Sequence, residues 1–353
     1  MISERTEVLK SFDGEDIFFR CCTPKKGTPG SEKISGLIVA VHGFGEHSGR
    51  YGHVAEFVCS KGLAFASFDL RGHGSSGPRK GDAQNLHALV LDVLYVVNHS
   101  LRILGFRSRD KSFFFGILGH SFGALLVTYA SSILAESSPP IFLSSPCYAL
   151  KSKVTYWKQL AARMLPKLLP EVKVPLELDP SLISKNEANN LAYRNDQQIL
   201  KEITSRFGQV FLDSLNETNI RSAVAQVLAP VTVVYGGADD LVNAQKTEEL
   251  CGMFAATRVQ STKIAGAGHE IFNELPEFRE PAFQALAQWI EQFGWAGQAN
   301  ASGRASVDSN QSGTPVSEAA VQSDRLAPDL GSGLGTELLP EKNNALNATG
   351  AHE

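Results

Sequence analysis

Four short apolar runs, separated by segments with helical periodicity, constrain the fold of this chain more than any other feature of its sequence. Each run is continuous rather than alternating, as expected for a strand that is covered on both faces of a sheet. They span residues 34–41, 63–68, 113–118 and 229–235, and a more polar strand is expected at 259–264. Buried strands that alternate with amphipathic helices are typical of a mostly parallel sheet with helices on both faces. The sequence therefore predicts the α/β class.

The clearest intervening helix covers residues 84–104, whose apolar side chains share one side at helical spacing. Other helices are expected over residues 51–61, 244–254 and 281–293, and one begins at Ser121. At the N-terminus, residues 7–20 alternate as paired strands do, with a turn at Asp13-Gly14. An antiparallel hairpin is therefore expected at one edge of the sheet.

The alternation of strands and helices stops between residues 146 and 215, where the chain is helical in pattern and shows no buried strand. We therefore predict a helical cap insertion over 146–215, which divides the core into parts 1–145 and 216–296. Residues 297–353 are rich in small and polar residues, which predicts a disordered tail. Four large side chains of the insertion either line a pocket or simply pack the cap, and both interpretations stay open. They are Tyr156, Trp157, Met164 and Leu165.

The charge balance argues against nucleic acid as a partner. The chain has 33 Lys and Arg residues and 37 Asp and Glu residues, which gives a net charge of -4. No basic field is then available to collect phosphate groups or to hold the chain on an anionic membrane.

The cysteines and the N-terminus favour a cytoplasmic protein. The five cysteines are odd in number and lack the spacing of a zinc site or a disulfide framework, which favours a reducing compartment. Residues 1–20 carry charges throughout and lack the apolar core of a secretory signal. Peripheral contact with membranes through an apolar cap surface stays open.

Residues 113–135 are apolar over a length that would suit a membrane span. Gly116, Gly119 and Gly123 divide this run, and His120-Ser121 forms a polar join within it. A buried strand, a tight turn and a buried helix explain this pattern better than a span does.

This join contains the motif from which a function is inferred. Gly119-His120-Ser121-Phe122-Gly123 fits G-x-S-x-G between a predicted strand and a predicted helix, which is the context of a nucleophile elbow. Small residues on both sides allow a turn sharp enough to raise the serine oxygen above the sheet. The pentapeptide alone is a weak signal, and a purely structural turn is the alternative. In this setting we interpret Ser121 as a catalytic nucleophile.

A serine hydroxyl needs a base to take its proton near neutral pH. In hydrolases that use such an elbow, the chain order is serine, acid, histidine. Only His269 and His352 follow Ser121, and His352 lies in the predicted tail. His269, in a small-residue loop directly after a predicted strand, is therefore the candidate base.

The acid that orients the histidine should follow a strand between these two residues. Asp239 and Asp240 come shortly after the strand at 229–235, and spacing alone does not separate them. Three other aspartates fall in the insertion and are interpreted as solvated surface groups. They are Asp179, Asp196 and Asp213.

The tetrahedral intermediate of acyl transfer carries an oxyanion, which needs N–H donors that are fixed in advance. The residue after the nucleophile and the loop after an earlier strand usually supply them. The candidates are the backbone amides of Phe122 and Phe44, because Gly43 permits close approach of the backbone to a substrate.

Two other polar clusters are interpreted as structural. The first consists of His42, Glu46, His47 and His53. Its spacing matches no metal signature, so we expect it to shape a loop and expect no metal or cofactor. The second consists of Asp69, Arg71 and His73. We expect it to hold a turn by local hydrogen bonds.

Taken together, these residues closely resemble the monoacylglycerol lipase and lysophospholipase group of α/β-hydrolases, also described as serine aminopeptidase-like. The resemblance covers about residues 10–295 and rests on several separate motifs in the right order. They are HGFGEHSGRY at 42–51, FDLRGHGSSG at 68–77, GHSFG at 119–123, GADDLV at 237–242 and GHEIFNE at 268–274. The string LDPSLIS at 178–184 also resembles the cap of that group.

The resemblance implies an α/β-hydrolase fold, hydrolysis of a lipid-like carboxylester such as a monoacylglycerol or lysophospholipid, and no cofactor. It implies Asp239, rather than Asp240, as the acid, and the amides of Phe44 and Phe122 as the oxyanion donors. Both phenylalanine positions usually carry smaller or more flexible side chains in that group. The acyl-chain preference of relatives is therefore not transferred to this chain.

Two other functions are weighed against ester hydrolysis. A peptidase or amidase, such as an aminopeptidase, would need an acidic pocket for the substrate amine, and the insertion shows no convincing one. A non-catalytic binding protein on the same scaffold would be marked by the loss of a catalytic residue, whereas Ser121, Asp239 and His269 are all present.

Overall fold

A sheet of eight strands forms the centre of the part of the chain that the computed structural model describes. That part comprises residues 2–27, 33–106, 113–151, 164–176, 178–255 and 259–294. Tyr156, Trp157 and the segment 297–353 lie outside the described residues, so their interpretations stay predictions.

The sheet confirms the predicted class. Its strands are β1 (Ile2–Lys10), β2 (Asp16–Pro24), β3 (Gly36–Val41), β4 (Ala64–Phe68), β5 (Phe114–His120), β6 (Ile141–Ser144), β9 (Val231–Gly236) and β10 (Val259–Ile264). They lie in the spatial order β1, β2, β4, β3, β5, β6, β9, β10. β1 and β2 form the predicted antiparallel hairpin, and β2 pairs antiparallel with β4. The remaining pairs of this sheet are parallel.

Helices cover both faces of the sheet. Those outside residues 146–215 are α1 (Gly52–Ser60), α2 (Leu86–Ile103), α3 (Phe122–Leu134), α6 (Glu217–Gln226), α7 (Ala244–Cys251) and α8 (Pro276–Gly294). The described residues of the insertion include α4 (Glu187–Asn195) and α5 (Ser205–Ser214). On one face, α2 and α3 bury side chains such as Val93 and Leu125 in one core cluster. On the other face, α1 and α8 bury Val58 and Trp289 in a second cluster.

The strand register brings several loops to one edge of the sheet. Val41, the last residue of β3, pairs with Phe68 at the end of β4 and with Gly119 near the end of β5. The loops that follow these strands therefore leave the sheet side by side. In parallel α/β sheets, ligands bind at this carboxyl edge.

Three short strands are absent from the sequence-based prediction, which is wrong at these places. β6 has four residues that directly follow two prolines, and it fills the place between β5 and β9. β7 (Lys173–Pro175) and β8 (Glu202–Thr204) have three residues each and pair with each other outside the main sheet. Runs this short carry too little periodicity to be recognised, and long-range pairing decides them.

The prediction also begins the last helix too late, at Pro281, because proline favours the first turn of a helix. The helix begins at Pro276 and contains Pro281 in its interior. The extra turn is held by the amides of Phe278 and Arg279, which both donate to the carbonyl of Leu275 (3.0 and 2.9 Å). Tertiary packing of the buried side chains farther along α8 therefore outweighs the local effect of the proline.

Among the described helices, α2 is long and apolar enough, by length and composition alone, to cross a membrane. It packs in the core, and its buried Asp92 accepts two hydrogen bonds from Arg71 (2.6 and 2.8 Å). The apolar run at 113–135 forms β5 and α3, as predicted.

Candidate active site

The turn between β5 and α3 has the conformation of a nucleophile elbow. Ser121 has φ 53° and ψ -117°, a left-handed backbone that residues other than glycine rarely adopt. A Cβ on Gly119 would lie 2.6 Å from the Cα of Ala124. A Cβ on Gly123 would overlap the carbonyl oxygen of Val41. Only glycine therefore fits at the first and last positions of the motif.

Ser121, His269 and Asp239 lie together at the carboxyl edge of the sheet. The Nε2 of His269 is 2.8 Å from the Oγ of Ser121, and its Nδ1 is 2.7 Å from the Oδ2 of Asp239. A carboxylate only accepts, so Nδ1 donates to Asp239 and leaves the lone pair of Nε2 for the serine proton. In this arrangement an imidazole can act as a general base on a serine.

The structure distinguishes the two aspartates that spacing leaves open. Asp239 is buried, and its Oδ1 accepts from the backbone amides two and three residues later (2.8 and 2.9 Å). The side chain of Asp240 is 39% exposed and forms ion pairs with Lys151 and Lys185. Asp239 is therefore the aspartate that contacts His269.

Burial and charge act in opposite directions on this pair. Burial alone lowers the pKa of His269, but the charge and hydrogen bond of Asp239 outweigh it and raise that pKa above its ordinary value. Burial raises the pKa of Asp239, while His269 and the two backbone amides lower it more strongly. Asp239 therefore stays ionised and stabilises a protonated imidazole.

His120, beside the nucleophile, behaves differently. Burial and the neighbouring His269 lower the pKa of His120 to about 4, so its ring is neutral near pH 7. Its Nδ1 lies 3.0 Å from the Oγ of Ser144, and its ring centroid lies 4.9 Å from that of His269. It therefore packs beside the imidazole of His269 without adding a positive charge there.

The loop after β3 lies directly against the nucleophile. A Cβ on Gly43 would lie 3.1 Å from the Cβ of Ser121, which explains the glycine. The amides of Phe44 and Phe122 donate no hydrogen bond within the described part of the chain. Their rings pack edge to face with centroids 5.6 Å apart. Phe122 directly follows Ser121, Phe44 lines the same cavity as Ser121, and both amides are available to another acceptor.

Sequence reasoning missed a buried ion network beside the site. Arg50 donates to Glu46 (3.1 Å), to both oxygens of Glu270, and to the Oδ1 of Asn189 in α4 (2.9 Å). Burial lowers the pKa of Arg50, but the two carboxylates raise it more strongly. Glu270 directly follows His269, so the network connects the loop after β3 to the loop of the imidazole. The motifs at 42–51 and 268–274 contain Glu46, Arg50 and Glu270, but a motif does not show that residues of two separate segments are in contact.

The cluster of His42, Glu46, His47 and His53 has separate partners. The Nε2 of His47 lies 2.8 Å from Asp196, and that of His53 lies 3.0 Å from a backbone carbonyl. Among the described residues, no three His, Cys, Asp or Glu side chains are placed to hold a metal ion. The contact with His47 corrects the interpretation of Asp196 as a solvated group, because a partner distant in sequence half buries its carboxylate.

The second polar cluster holds a turn. Asp69 accepts from the amides of Ser48 (2.8 Å) and Ser75 (2.7 Å), and Arg71 bridges Asp13 and Asp92. These bonds agree with the structural interpretation of residues 69–73.

A cavity of about 360 Å³ has Ser121 and His269 in its wall. Its volume lies within the range of about 300–1,000 Å³ that is usual for small-molecule sites. Most of the remaining wall is apolar, with Phe44 from the core and Leu176, Ile183 and Phe211 from residues 146–215. This lining suits a ligand with an extended apolar part.

The serine aminopeptidase, S33, family matches residues 32–276, which is more than half of the chain. The chain belongs to this family. Family membership and the α/β-hydrolase fold confirm the resemblance to monoacylglycerol lipase and lysophospholipase-like serine hydrolases that the motifs predict.

This S33 family chain is 29% identical to human monoglyceride lipase over 80% of its own length and 89% of that protein. It is 28% identical to a phospholipase of Bacillus subtilis over 73% of its length and 95% of the relative. A solved structure of a soluble monoglyceride lipase variant from Saccharomyces cerevisiae, in complex with a substrate analogue, matches with a TM-score of 0.72 and 20% identity. The match covers 82% of this chain and 95% of the other, and it shows a shared fold.

Proposed function

We propose that the protein hydrolyses lipid-like carboxylesters, such as monoacylglycerols or lysophospholipids, through an acyl-enzyme. The observation that carries this proposal is the hydrogen-bonded chain from Ser121 through His269 to Asp239, in the wall of an apolar cavity. The names of the human and Bacillus relatives support a lipid ester as the substrate class.

In the first step, the Oγ of Ser121 attacks the ester carbonyl while the Nε2 of His269 accepts its proton. Asp239 stabilises the imidazolium, and the amides of Phe44 and Phe122 donate to the oxyanion of the tetrahedral intermediate. His269 then gives the proton to the leaving alcohol. Water, deprotonated by His269, attacks the acyl carbonyl, and release of the acid restores Ser121.

The direct test is covalent labelling with a fluorophosphonate, which reacts with an activated serine. We expect the wild type to be labelled and Ser121→Ala to be unlabelled. Ser132→Ala is the matched control, because Ser132 lies on α3 and bonds to the carbonyl of Tyr129 (2.8 Å), away from His269. Labelling of Ser121→Ala at the wild-type level would contradict the assignment of the nucleophile.

Hydrolysis of an aminoacyl bond is the second candidate, because the family is described as serine aminopeptidase. Such an enzyme needs a carboxylate to hold the substrate ammonium group. Glu46 and Glu270 are the carboxylates in the described cavity wall, and both are bonded to Arg50. This pairing favours the ester. We expect p-nitrophenyl esters to be hydrolysed with a higher kcat/KM than aminoacyl p-nitroanilides, and the opposite order would favour the peptidase.

A further inference from the structure

The two peptide units that flank Gly43 are each held by a buried side chain. The amide of Gly43 donates to the Oε1 of Glu46 (2.6 Å), and the carbonyl oxygen of Gly43 lies 2.8 Å from the Nδ1 of His42. That carbonyl and the amide of Phe44 belong to one planar trans peptide. The N–H of Phe44 therefore points away from His42, on the opposite side of the peptide from the Gly43 oxygen.

The partner of the other ring nitrogen fixes the tautomer of His42. The backbone amide of Leu70 donates to the Nε2 of His42 (2.9 Å), so Nε2 carries a lone pair. In the neutral ring the proton is then on Nδ1, which donates it to the carbonyl of Gly43. Burial lowers the pKa of His42, a residue that is 1% exposed, so its ring stays neutral near pH 7.

We propose that His42 is a positioning residue for the oxyanion hole. Its Nδ1–H, fixed by Leu70, holds the Gly43 carbonyl so that the amide of Phe44 is directed at the reacting carbonyl on Ser121. Donation to the carbonyl oxygen also polarises the peptide, which makes the Phe44 N–H a stronger donor. This inference rests on the proposed function.

Two substitutions each remove one of the two hydrogen bonds of the His42 ring. His42→Asn keeps a donor nitrogen bonded to Cγ, where Nδ1 stands, and loses the contact with Leu70. His42→Gln places its amide one bond farther out, where it accepts from Leu70 but no longer donates to Gly43. Since removal of one oxyanion donor costs about 10²- to 10³-fold in kcat, we expect a loss of about 10- to 100-fold in His42→Gln. We expect a smaller loss, about three-fold, in His42→Asn, with KM nearly unchanged in both.

Thermal unfolding separates positioning from a purely structural role. The buried amide of Leu70 loses its acceptor in His42→Asn and keeps it in His42→Gln. The asparagine variant is therefore expected to unfold at the lower temperature although it is the more active. A trifluoromethyl ketone that forms a tetrahedral adduct on Ser121 should lose affinity in His42→Gln by the same factor as kcat/KM. The affinity for 1-decanol, which has the alkyl chain but no anionic oxygen, should not change.

The tautomer of His42 can also be measured in the wild-type protein. In the wild type, ¹⁵N NMR of labelled histidine should show that His42 has a protonated Nδ1 and an unprotonated Nε2. A protonated Nε2 would overturn the inference, even if a variant does not fold. The inference would also be overturned if the more stable variant were the more active one, that is, if His42→Gln had a higher kcat than His42→Asn. Wild-type activity in Ser121→Ala would instead contradict the proposed function, and that variant is measured separately.

Discussion

At the scale of single residues, His269 sets the dependence of activity on pH. Asp239 raises the pKa of His269 above the ordinary value of 6.5, and only the neutral ring can accept the proton of Ser121. We therefore expect kcat/KM to be full at high pH and to fall as the pH decreases through a midpoint above 6.5. A pH profile with a soluble p-nitrophenyl ester measures this midpoint, and a value below 6.5 would contradict the assigned pair.

Asp239→Asn keeps the shape of the acid and removes its charge. In serine proteases the equivalent change lowers kcat by about 10⁴-fold, and a loss of similar order is expected here. The midpoint of the remaining activity should move to lower pH, because the charge that raises the pKa of His269 is gone. Asp240→Asn is the matched control, since Asp240 contacts two lysines, and it should retain nearly full activity. Equal losses in the two variants would argue against Asp239 as the acid.

The sequence identifies some of these residues and not others, for physical reasons. Ser121 is predictable from G-x-S-x-G between a strand and a helix, and His269 is predictable because chain order leaves few histidines after the elbow. Asp239 and Asp240 are not separable from the residues alone, because the direction of each side chain depends on one turn. The contact of Arg50 with Glu270 joins segments 220 positions apart, and no local pattern indicates it.

At the scale of elements, α5 contributes an aromatic wall to the cavity. The ring of Phe211 lies 4.3 Å from that of Phe44 and 5.4 Å from that of Phe122, measured between centroids. Phe211→Ala should lengthen the space for an acyl chain. Each further methylene that the wider cavity buries adds about 0.8 kcal/mol, or roughly four-fold in kcat/KM. A series of p-nitrophenyl esters of graded length should therefore show a longer optimum.

The control for this change is Val210→Ala, because Val210 is the neighbouring residue on α5 and packs against the core instead of the cavity. It should leave the length optimum in place. An unchanged optimum in Phe211→Ala would mean that the acyl chain lies elsewhere in the cavity.

Leu168 and Leu169, in the insertion, expose large apolar side chains, and we propose that they contact a lipid surface. Leu168 is 76% exposed and Leu169 is 53% exposed. The double variant Leu168→Ser, Leu169→Ser should bind phosphatidylcholine vesicles containing monoacylglycerol at least several-fold more weakly, because apolar contact area is lost. Its activity on a soluble short-chain ester should not change. Leu228→Ser, at a residue that is 46% exposed, is the control, and equal vesicle binding by all three proteins would refute the contact.

Most long elements were predictable, because their apolar periodicity extends over many residues. β6 was not, since four residues between proline and serine look like a loop until β5 and β9 are in place. The sequence predicts the start of α8 too late because Pro281 is a strong local signal. Packing of the rest of that helix against the sheet is not visible in a local pattern.

At the scale of the whole molecule, Trp289 joins α8 to the centre of the sheet. It is fully buried, and its ring lies 5.1 Å from Phe114 and 5.6 Å from Phe142 between centroids. A Cβ on Gly116 would overlap this ring, so strand and helix are in close contact. Trp289→Ala should lower the free energy of unfolding by about 3–5 kcal/mol, which urea denaturation measures. Gln288→Ala, at an exposed neighbour, should cost far less, and similar losses would contradict this role.

The left-handed backbone of Ser121 needs β5 on one side, α3 on the other and Gly123 against the end of β3. A polypeptide that has lost any of these supports relaxes to an ordinary conformation and turns its hydroxyl away from the imidazole. Covalent capture by a phosphonate thus counts intact native copies in a preparation. The same reagent that identifies the nucleophile can serve as a titrant for how much of a purified sample is correctly assembled.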